Sequence, residues 1–394
     1  MRNNVTRNII SKSKHKAIVF YLTYSIPLVL LFEWLNSLQI ITSELSVILK
    51  AITIVLNFAL FISKDFKLGE FKFGKIALYF VYINLIYAFF SDYIIENLYL
   101  SIRILYWVST TISIFYLYKN HLISIKKIKF IFVGASLLGS LFTIYLMSIS
   151  ETHQSASAYL LLWCLPILLL FRQTSLLRIV QILSILAIAL TVKRGAIIAL
   201  IISIISYTFG YFLILNNIRD KRRIITSLFG FLLFILYIIS FNQNIYEERF
   251  GDKTGSGRDV VYTTLIDKYL SSDLDNLIFG YGFKGVENHL ARKFYGNNEQ
   301  SGPAAHSDLL QYIFDFGFFG IFVMLSFHLF IINLLRINFK FRSSLFPTIL
   351  MYYSIFFLTT IYSFILNVPD AIFFGISASI FSVETIRIKR SSYI

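Results

Sequence analysis

The chain has 394 residues, of which 57% are hydrophobic and only 14% are charged, and its formal net charge at pH 7 is +15. A soluble domain carries about 25% charged residues, so this composition excludes an ordinary soluble protein and indicates many membrane helices. The positive charge does not indicate nucleic-acid binding, because no soluble segment combines a basic patch with residues that stack on bases or read them.

Twelve apolar segments follow one another along the chain, and a membrane-spanning helix needs about 20 such residues. They predict an all-α polytopic membrane protein, folded as one integral membrane domain over residues 1–394. The tenth segment is too long for one span, so we expect Ser307 to Phe316 to lie on the membrane surface or re-enter it before the span begins near Gly317. The segments are 17–35, 43–62, 75–91, 98–118, 128–149, 157–171, 176–192, 195–215, 224–241, 307–335, 345–366 and 370–386.

The connections between these segments alternate in charge. One set of loops, together with the two ends of the chain, holds 25 of the 36 basic residues. The alternate short loops hold no basic residue and carry the acidic residues Asp92, Glu96, Glu151 and Asp370. Because cytoplasmic loops are enriched in Lys and Arg, the pattern predicts that both termini are cytoplasmic and that the connection after the ninth segment lies on the outer face.

That connection, residues 242–305, is the longest polar stretch of the chain. Most connections between helices are far shorter, so a loop of this size is the first place to look for a functional site. Within it, Val261, Leu265 and Tyr269 recur at four-residue spacing, which predicts a helix from Arg258 to Leu270. We expect this helix to pack on the membrane surface as a lid.

Lys193-Arg194-Gly195 breaks the charge pattern, since this turn between the seventh and eighth segments is predicted to face outward. The two cations could be side chains that snorkel from a helix end. The sequence favours the other interpretation, an anion site at the membrane boundary, because charges there are costly and tend to mark function. Arg258 is predicted in the same compartment, and two arginines suit the oxygens of a diphosphate. A solvated loop arginine is equally compatible with the Gly-Ser-Gly-Arg string alone.

His306 lies where the loop returns to the membrane. It is a candidate general base near neutral pH, although a lone histidine is more often a structural hydrogen-bonding group. Asp308 is predicted either to orient the imidazole or to cap the next helix. Tyr281 could stack on a sugar ring or pack the loop, and Arg292 is a secondary substrate-binding candidate on a solvated stretch. The sequence shows no metal-ligand set and no nucleotide-binding loop, so we expect neither a metal nor a cofactor.

Together these features resemble the O-antigen ligase and O-antigen polymerase family of bacterial envelope proteins. The resemblance covers the architecture of nearly the whole chain, including the large outer loop between helices 9 and 10. The residue motifs that carry it are Lys193-Arg194-Gly195, Ser256-Gly257-Arg258, Phe279-Gly280-Tyr281-Gly282, Ala305-His306-Ser307-Asp308-Leu309-Leu310-Gln311 and Phe316-Gly317-Phe318-Phe319-Gly320. One departure is that the family often has an aromatic residue or Trp shortly after the Ser-Gly-Arg string, where this chain has Val260, Val261 and Tyr262.

The resemblance implies a type C glycosyltransferase that works without metal or nucleotide. Its donor would be an oligosaccharide linked by diphosphate to undecaprenol, with Arg194 and Arg258 matching the arginines that hold the diphosphate. His306 matches the histidine that assists the acceptor hydroxyl. The expected partners are this donor, a glycan acceptor and membrane lipids; a chain-length regulator is compatible with the same function.

The predicted function is therefore O-antigen polymerase at the outer face of the bacterial inner membrane, joining lipid-linked repeat units. The alternative is a ligase that transfers the finished glycan to lipid A–core. A flippase for the same lipid-linked glycans is a third interpretation, but it predicts charges in several spans and an internal repeat. Here Glu33 and Arg103 are the main intramembrane charges, and no repeat is visible.

Overall fold

The computed structural model describes residues 2–40, 42–62, 68–90, 94–149, 157–191, 193–215, 222, 226, 228–230, 233, 240, 258–295, 305–362, 366 and 370–392. Within these ranges the chain is helical and no strand occurs. The helices are α1 (Arg2–Ser37), α2 (Ser43–Phe61), α3 (Lys72–Phe89), α4 (Ile94–Lys119), α5 (Ile125–Ile149), α6 (Ser157–Leu170), α7 (Ser175–Leu190), α8 (Arg194–Ile214), α9 (Arg258–Leu270), α10 (Leu274–Phe279), α11 (Gly285–Tyr295), α12 (Asp308–Lys340), α13 (Phe346–Tyr362) and α14 (Ala371–Ser391), with a short 3-10 turn at Leu68–Glu70.

Eleven of the twelve predicted apolar segments coincide with these helices. Among the residues that the structure describes, eight helices are long and apolar enough to cross a membrane, and three shorter apolar helices, Ser157–Leu170, Ser175–Leu190 and Phe346–Ile361, lie between them in the chain. The chain is therefore a multi-pass membrane protein. Of the predicted ninth segment, 224–241, only residues 226, 228–230, 233 and 240 are described, so the count of twelve spans and the orientation remain predictions.

The core of the bundle surrounds the last helix, α14, in which every residue from Ala371 to Val383 is buried. Phe374 on this helix stacks on Phe356 and on Tyr352, with ring centroids 4.8 and 5.6 Å apart, and its ring lies 5.1 Å from that of Trp163. Ser379 donates to the backbone carbonyl of Thr111 on α4 at 2.8 Å, so α4 and α14 pack closely. This rigid centre positions the helix ends that form the site.

Helix α12 is broken at Gly317, whose backbone is left-handed (φ 57°). The sequence predicted that the span begins near Gly317, because the apolar segment is too long for one span, and the helix is interrupted at this residue. The residues before the break do not lie open on a surface. Gln311, Phe314 and Asp315 are buried, and the loop helices α9, α10 and α11 contact this segment.

Candidate active site

Two glycine-containing motifs hold the loop against the break in α12. The backbone N–H groups of Tyr281 and Gly282 donate to the carbonyls of Phe314 and Asp315, each at 2.9 Å. Gly280 has a φ of 74°, and a Cβ there would lie 2.4 Å from the carbonyl oxygen of Asp315. A Cβ on Gly317 would lie 2.6 Å from the amide nitrogen of Gly280. Only glycine permits this approach, so the Phe-Gly-Tyr-Gly string and the glycine of the broken helix form one docking joint.

A small apolar cluster, separate from the main core, fixes the loop helices to each other and to the start of α12. It consists of Leu265, Val286, Leu290, Ala305 and Phe314, with Val261, Tyr269, Tyr281 and Leu310 packed around it. The predicted helix from Arg258 to Leu270 is confirmed as α9, and its predicted apolar face is the one that enters this cluster. The loop helices therefore pack over the first segment of α12.

His306 lies beside this cluster on a strained backbone. Its φ is 51°, a left-handed value that non-glycine residues adopt uncommonly and that recurs at functional sites. The Tyr262 hydroxyl lies 3.3 Å from the His306 carbonyl and 3.2 Å from the Ile361 carbonyl, so its one proton can serve either. Next to His306, Ser307 donates to the Thr360 carbonyl at 3.1 Å. These contacts tie the strained residue to α13.

Lys193, Arg258 and His306 come together in space, although they are far apart in the sequence. The Lys193 ammonium lies 4.6 Å from the centre of the Tyr159 ring, a cation–π contact. Part of His306 is exposed, but the surrounding helices desolvate its ring and the charges of Arg258 and Lys193 act on it. Desolvation and these charges lower the pKa of His306 below its ordinary value, which keeps the imidazole neutral near pH 7. Burial and Arg258 likewise lower the pKa of Lys193.

Three helices begin at this cluster of cations. Lys193 is the N-cap of α8, so Arg194 is the first residue of that helix. Arg258 is the first residue of α9, and His306 comes two residues before the start of α12. Helix N-termini carry partial positive charge and unpaired N–H groups, which favour anions. The arrangement is suited chemically to a compact, multiply charged anion beside a neutral imidazole.

Acidic and basic groups from other helices continue the charge network behind Lys193. Burial and the charge of Glu33 raise the pKa of Asp370 to about 7, while Arg103, Lys193 and Lys50 oppose that shift. Lys50 is almost fully buried and forms an ion pair with Glu33. Asp370 and Lys50 lie near the site, and the sequence did not identify them as site residues. Lys50 lies within an apolar run, and Asp370 served only to predict which loops face outward.

The other predicted site residues take different places. Asp308 is buried and accepts from the backbone N–H of Leu366 at 3.3 Å, so it holds the connection that leads to α14. Tyr281 stacks on Phe314 at 4.5 Å and contacts Ser272, which places it in the packing of the loop. Arg292 is exposed on α11, where its charge acts on His289. Roles of these three residues in substrate binding remain predictions.

Gln311 also belongs to the site. The sequence indicated it only as the last residue of the Ala305–Gln311 motif and predicted no role for it. Its side-chain N–H₂ donates to Glu287 at 3.1 Å and to Asp315 at 2.8 Å, and its carbonyl accepts from the backbone N–H of Ala305 at 3.1 Å. One side chain thus joins the loop helix α11, the broken segment of α12 and the residue before His306. The spacing of Gln311 and Asp315, four residues apart on a helix, is the signal that could have revealed the pair.

Within the described part of the chain, no three His, Cys, Asp or Glu side chains gather as ligands for a metal ion. The Gly255-Ser256-Gly257 approach to Arg258 lies outside the described residues, as do Pro303 and Ala304.

Comparison with known proteins finds one family model that matches the segment containing this geometry. Residues 179–325 match the family model described as O-antigen ligase (Wzy_C). The matched segment is somewhat more than a third of the 394 residues, and it contains Lys193, Arg258, His306 and the docking joint. The match confirms the predicted resemblance to the O-antigen polymerase and ligase family, whose members are glycosyltransferase-like enzymes. Neither a curated protein nor a solved structure matches the chain.

Proposed function

We propose that this protein is an O-antigen polymerase, or a polymerase of a related surface polysaccharide, that joins undecaprenyl-diphosphate-linked repeat units at the outer face of the bacterial inner membrane. The observation that carries the proposal is the meeting of Lys193 and Arg258 with a neutral His306 where three helices begin. Cations and helix N-termini suit a diphosphate, and a neutral imidazole suits proton transfer.

The cations act on the donor. The lipid diphosphate enters sideways from the outer leaflet, and its oxygens bind Arg194 and Arg258, with Lys193 beside them. When the bond between the sugar C1 and the diphosphate oxygen breaks, negative charge grows on the leaving diphosphate. Fixed cations stabilise that charge, and electrostatic stabilisation of this type is usually the largest single contribution to catalysis. Undecaprenyl diphosphate leaves, and no metal is required.

His306 acts on the acceptor. The neutral imidazole takes the proton of the acceptor hydroxyl as its oxygen forms the new bond to C1, a contribution typically of about 10²–10⁴-fold. Attack from the side opposite the diphosphate inverts the anomeric centre. The left-handed φ of His306 and the contact of its carbonyl with Tyr262 hold the backbone of this residue in place. The loop helices cover the sugars and exclude the water that would otherwise hydrolyse the donor.

Polymerase and ligase differ only in the acceptor. The purified protein in lipid nanodiscs, given undecaprenyl-diphosphate-linked repeat units alone, is expected to form longer lipid-linked glycans and release undecaprenyl diphosphate. A ligase would leave those units unchanged until lipid A–core is added, and would then move the glycan onto it. No transfer to either acceptor would overturn the proposal and favour transport of the lipid-linked glycan.

A further inference from the structure

Both chain neighbours of His306 are held by hydrogen bonds. Before it, the backbone N–H of Ala305 donates to Gln311 Oε1 at 3.1 Å. After it, the Ser307 hydroxyl donates to the Thr360 carbonyl at 3.1 Å, and the Ser307 carbonyl accepts from the backbone N–H of Gln311 at 2.9 Å. A left-handed backbone at a residue other than glycine persists only where the surrounding structure holds it. Gln311 holds both neighbours, Ala305 through its side chain and Ser307 through its backbone.

The other end of the Gln311 side chain reaches the loop. Its N–H₂ group donates to Asp315 Oδ2 at 2.8 Å and to Glu287 Oε2 at 3.1 Å. Asp315 Oδ1 in turn accepts from the backbone N–H of Val286, in the first turn of loop helix α11, at 3.1 Å. A continuous chain of hydrogen bonds through two side chains therefore joins the start of α11 to Ala305.

A glutamine amide suits both ends of this chain. The Ala305 N–H needs an acceptor and the two carboxyl groups need donors, and the amide offers one carbonyl oxygen and two N–H groups. A carboxyl group accepts a hydrogen bond in either protonation state, so the chain does not depend on the charges of Glu287 and Asp315. Gln311, Asp315 and Ala305 are buried, so water does not replace a bond that is lost. Movement of one member would leave the others unpaired, which is costly.

We propose that Gln311 is a positioning residue for His306, and that it transmits the docking of loop helix α11 to the position of this base. The proposal rests on the proposed function, in which the imidazole takes the proton of the acceptor. If α11 leaves its place, Asp315 and Gln311 lose partners and the hold on Ala305 weakens. The base is then in position only while the loop covers the site, which confines proton transfer to a site that excludes water.

Gln311→Met tests the positioning role, because it removes the amide and keeps a side chain of similar length. In single-turnover transfer by the purified protein in nanodiscs, the rate at saturating donor should fall by roughly tenfold or more. The loss should be smaller than in His306→Ala, since the imidazole is present but misplaced. The donor concentration that gives half the maximal rate should not change, because the cations that hold the diphosphate lie on α8 and α9.

The titration of His306 separates positioning from a purely structural role. When the ring moves, it loses part of its desolvation and of the influence of Arg258 and Lys193, so its pKa should rise towards the ordinary value. This pKa is read by NMR from the ring signals of labelled histidine, with His306→Gln to assign the resonance, and needs no turnover. A variant that only lowered the amount of folded protein would lower the rate without moving this pKa.

Asn338→Leu is the matched control. Asn338 is a buried amide on the same helix, and its N–H₂ group donates to the Leu334 carbonyl at 2.9 Å and to the Thr385 hydroxyl at 2.8 Å, so it joins α12 to α14 rather than to the loop. Its rate per folded protein and its His306 pKa should match those of the wild type. A rate or a His306 pKa that is unchanged in Gln311→Met, or equal changes in the control, would overturn the positioning role.

Glu287→Met tests the connection to the loop, because it removes the direct bond between α11 and Gln311. It should lower the rate in the wild-type background and add little in Gln311→Met, since residues of one network have non-additive effects. Additive effects on the logarithm of the rate would show that α11 and Gln311 act separately.

Failure of the positioning role is distinguishable from failure of the proposed function. Absence of transfer by the wild-type protein refutes the function. An unmoved His306 pKa in Gln311→Met refutes the hold on His306 whether or not transfer occurs.

Discussion

Gly280 lies at the joint that docks the loop on α12, so an added methyl group there should weaken the packing of the loop helices over the site. In Gly280→Ala the new Cβ would meet the Asp315 carbonyl oxygen at 2.4 Å and the Gly317 nitrogen at 2.6 Å. Both are backbone atoms, which cannot rotate away. The variant must either strain the break in α12 or give up the two backbone hydrogen bonds from Tyr281 and Gly282.

Gly282→Ala is the matched control, because Gly282 also has a positive φ, 80°, yet nothing lies within 4 Å of the position that its added methyl group would occupy. Both variants place an alanine at a positive φ, at a cost of about 1–3 kcal/mol, and at Gly280, where ψ is −168°, the backbone lies in a region that only glycine adopts readily. Only Gly280→Ala adds overpacking, typically about 1–3 kcal/mol. At about 1.4 kcal/mol for each factor of ten, amide exchange through local opening should be about 5–150-fold faster than in the control.

The assay is hydrogen–deuterium exchange of the purified variants in nanodiscs, followed on peptides that cover residues 274–293. Transfer activity should fall in parallel, since water reaches the donor when the loop opens. Equal exchange in the two variants would mean that the contact between Gly280 and the break in α12 does not hold the loop in place.

Three further predictions concern the site. Lys193→Met removes a cation that lowers the pKa of His306, so this pKa should rise. The acid limb of the rate–pH profile should then move to higher pH. An unmoved limb would show that the charge of Lys193 does not act on the catalytic base. Tyr262→Phe should lower kcat about tenfold without changing KM, because the His306 backbone loses a contact. Tyr269→Phe, which removes a hydroxyl that contacts Leu277 instead, should leave kcat unchanged. Equal effects of the two substitutions on kcat would contradict a positioning role for Tyr262. Burial raises the pKa of Glu287, so the folded state binds more protons there, and docking of the loop should weaken as pH rises through that pKa. Exchange corrected for intrinsic rates checks this, and Glu287→Gln should weaken the dependence, leaving only what its neighbour Asp315 contributes.

Much of the fold follows from hydropathy alone. Apolar length located eleven helices, since each must satisfy its backbone polar groups internally in a membrane. Four-residue spacing located α9 with its buried face, and excess length located the break at Gly317. The extent of α1, which begins at Arg2 rather than near residue 17, was missed because basic residues end an apolar run without ending a helix.

The site was only partly predictable. The sequence identified Lys193, because it breaks the charge pattern of the loops, and the loop residues Arg258 and His306. The structure brings these three residues together. Gln311 and Glu287 were missed as site residues, because each is one ordinary polar residue in its own segment. Their importance arises only when the loop helix α11 packs across α12, a tertiary arrangement that periodicity does not encode.

Single-turnover transfer from an undecaprenyl-diphosphate-linked repeat unit, measured on four purified variants, tests the catalytic role of the cation cluster around His306. His306→Ala should lower the rate by about 10²–10⁴-fold, and Arg258→Ala should lower both donor affinity and rate. The controls are His289→Ala, on loop helix α11, and Arg178→Ala, an exposed arginine in the first turn of α7; both should transfer as the wild type does. Wild-type rates in His306→Ala and Arg258→Ala would show that the cations and the neutral imidazole have no part in the reaction.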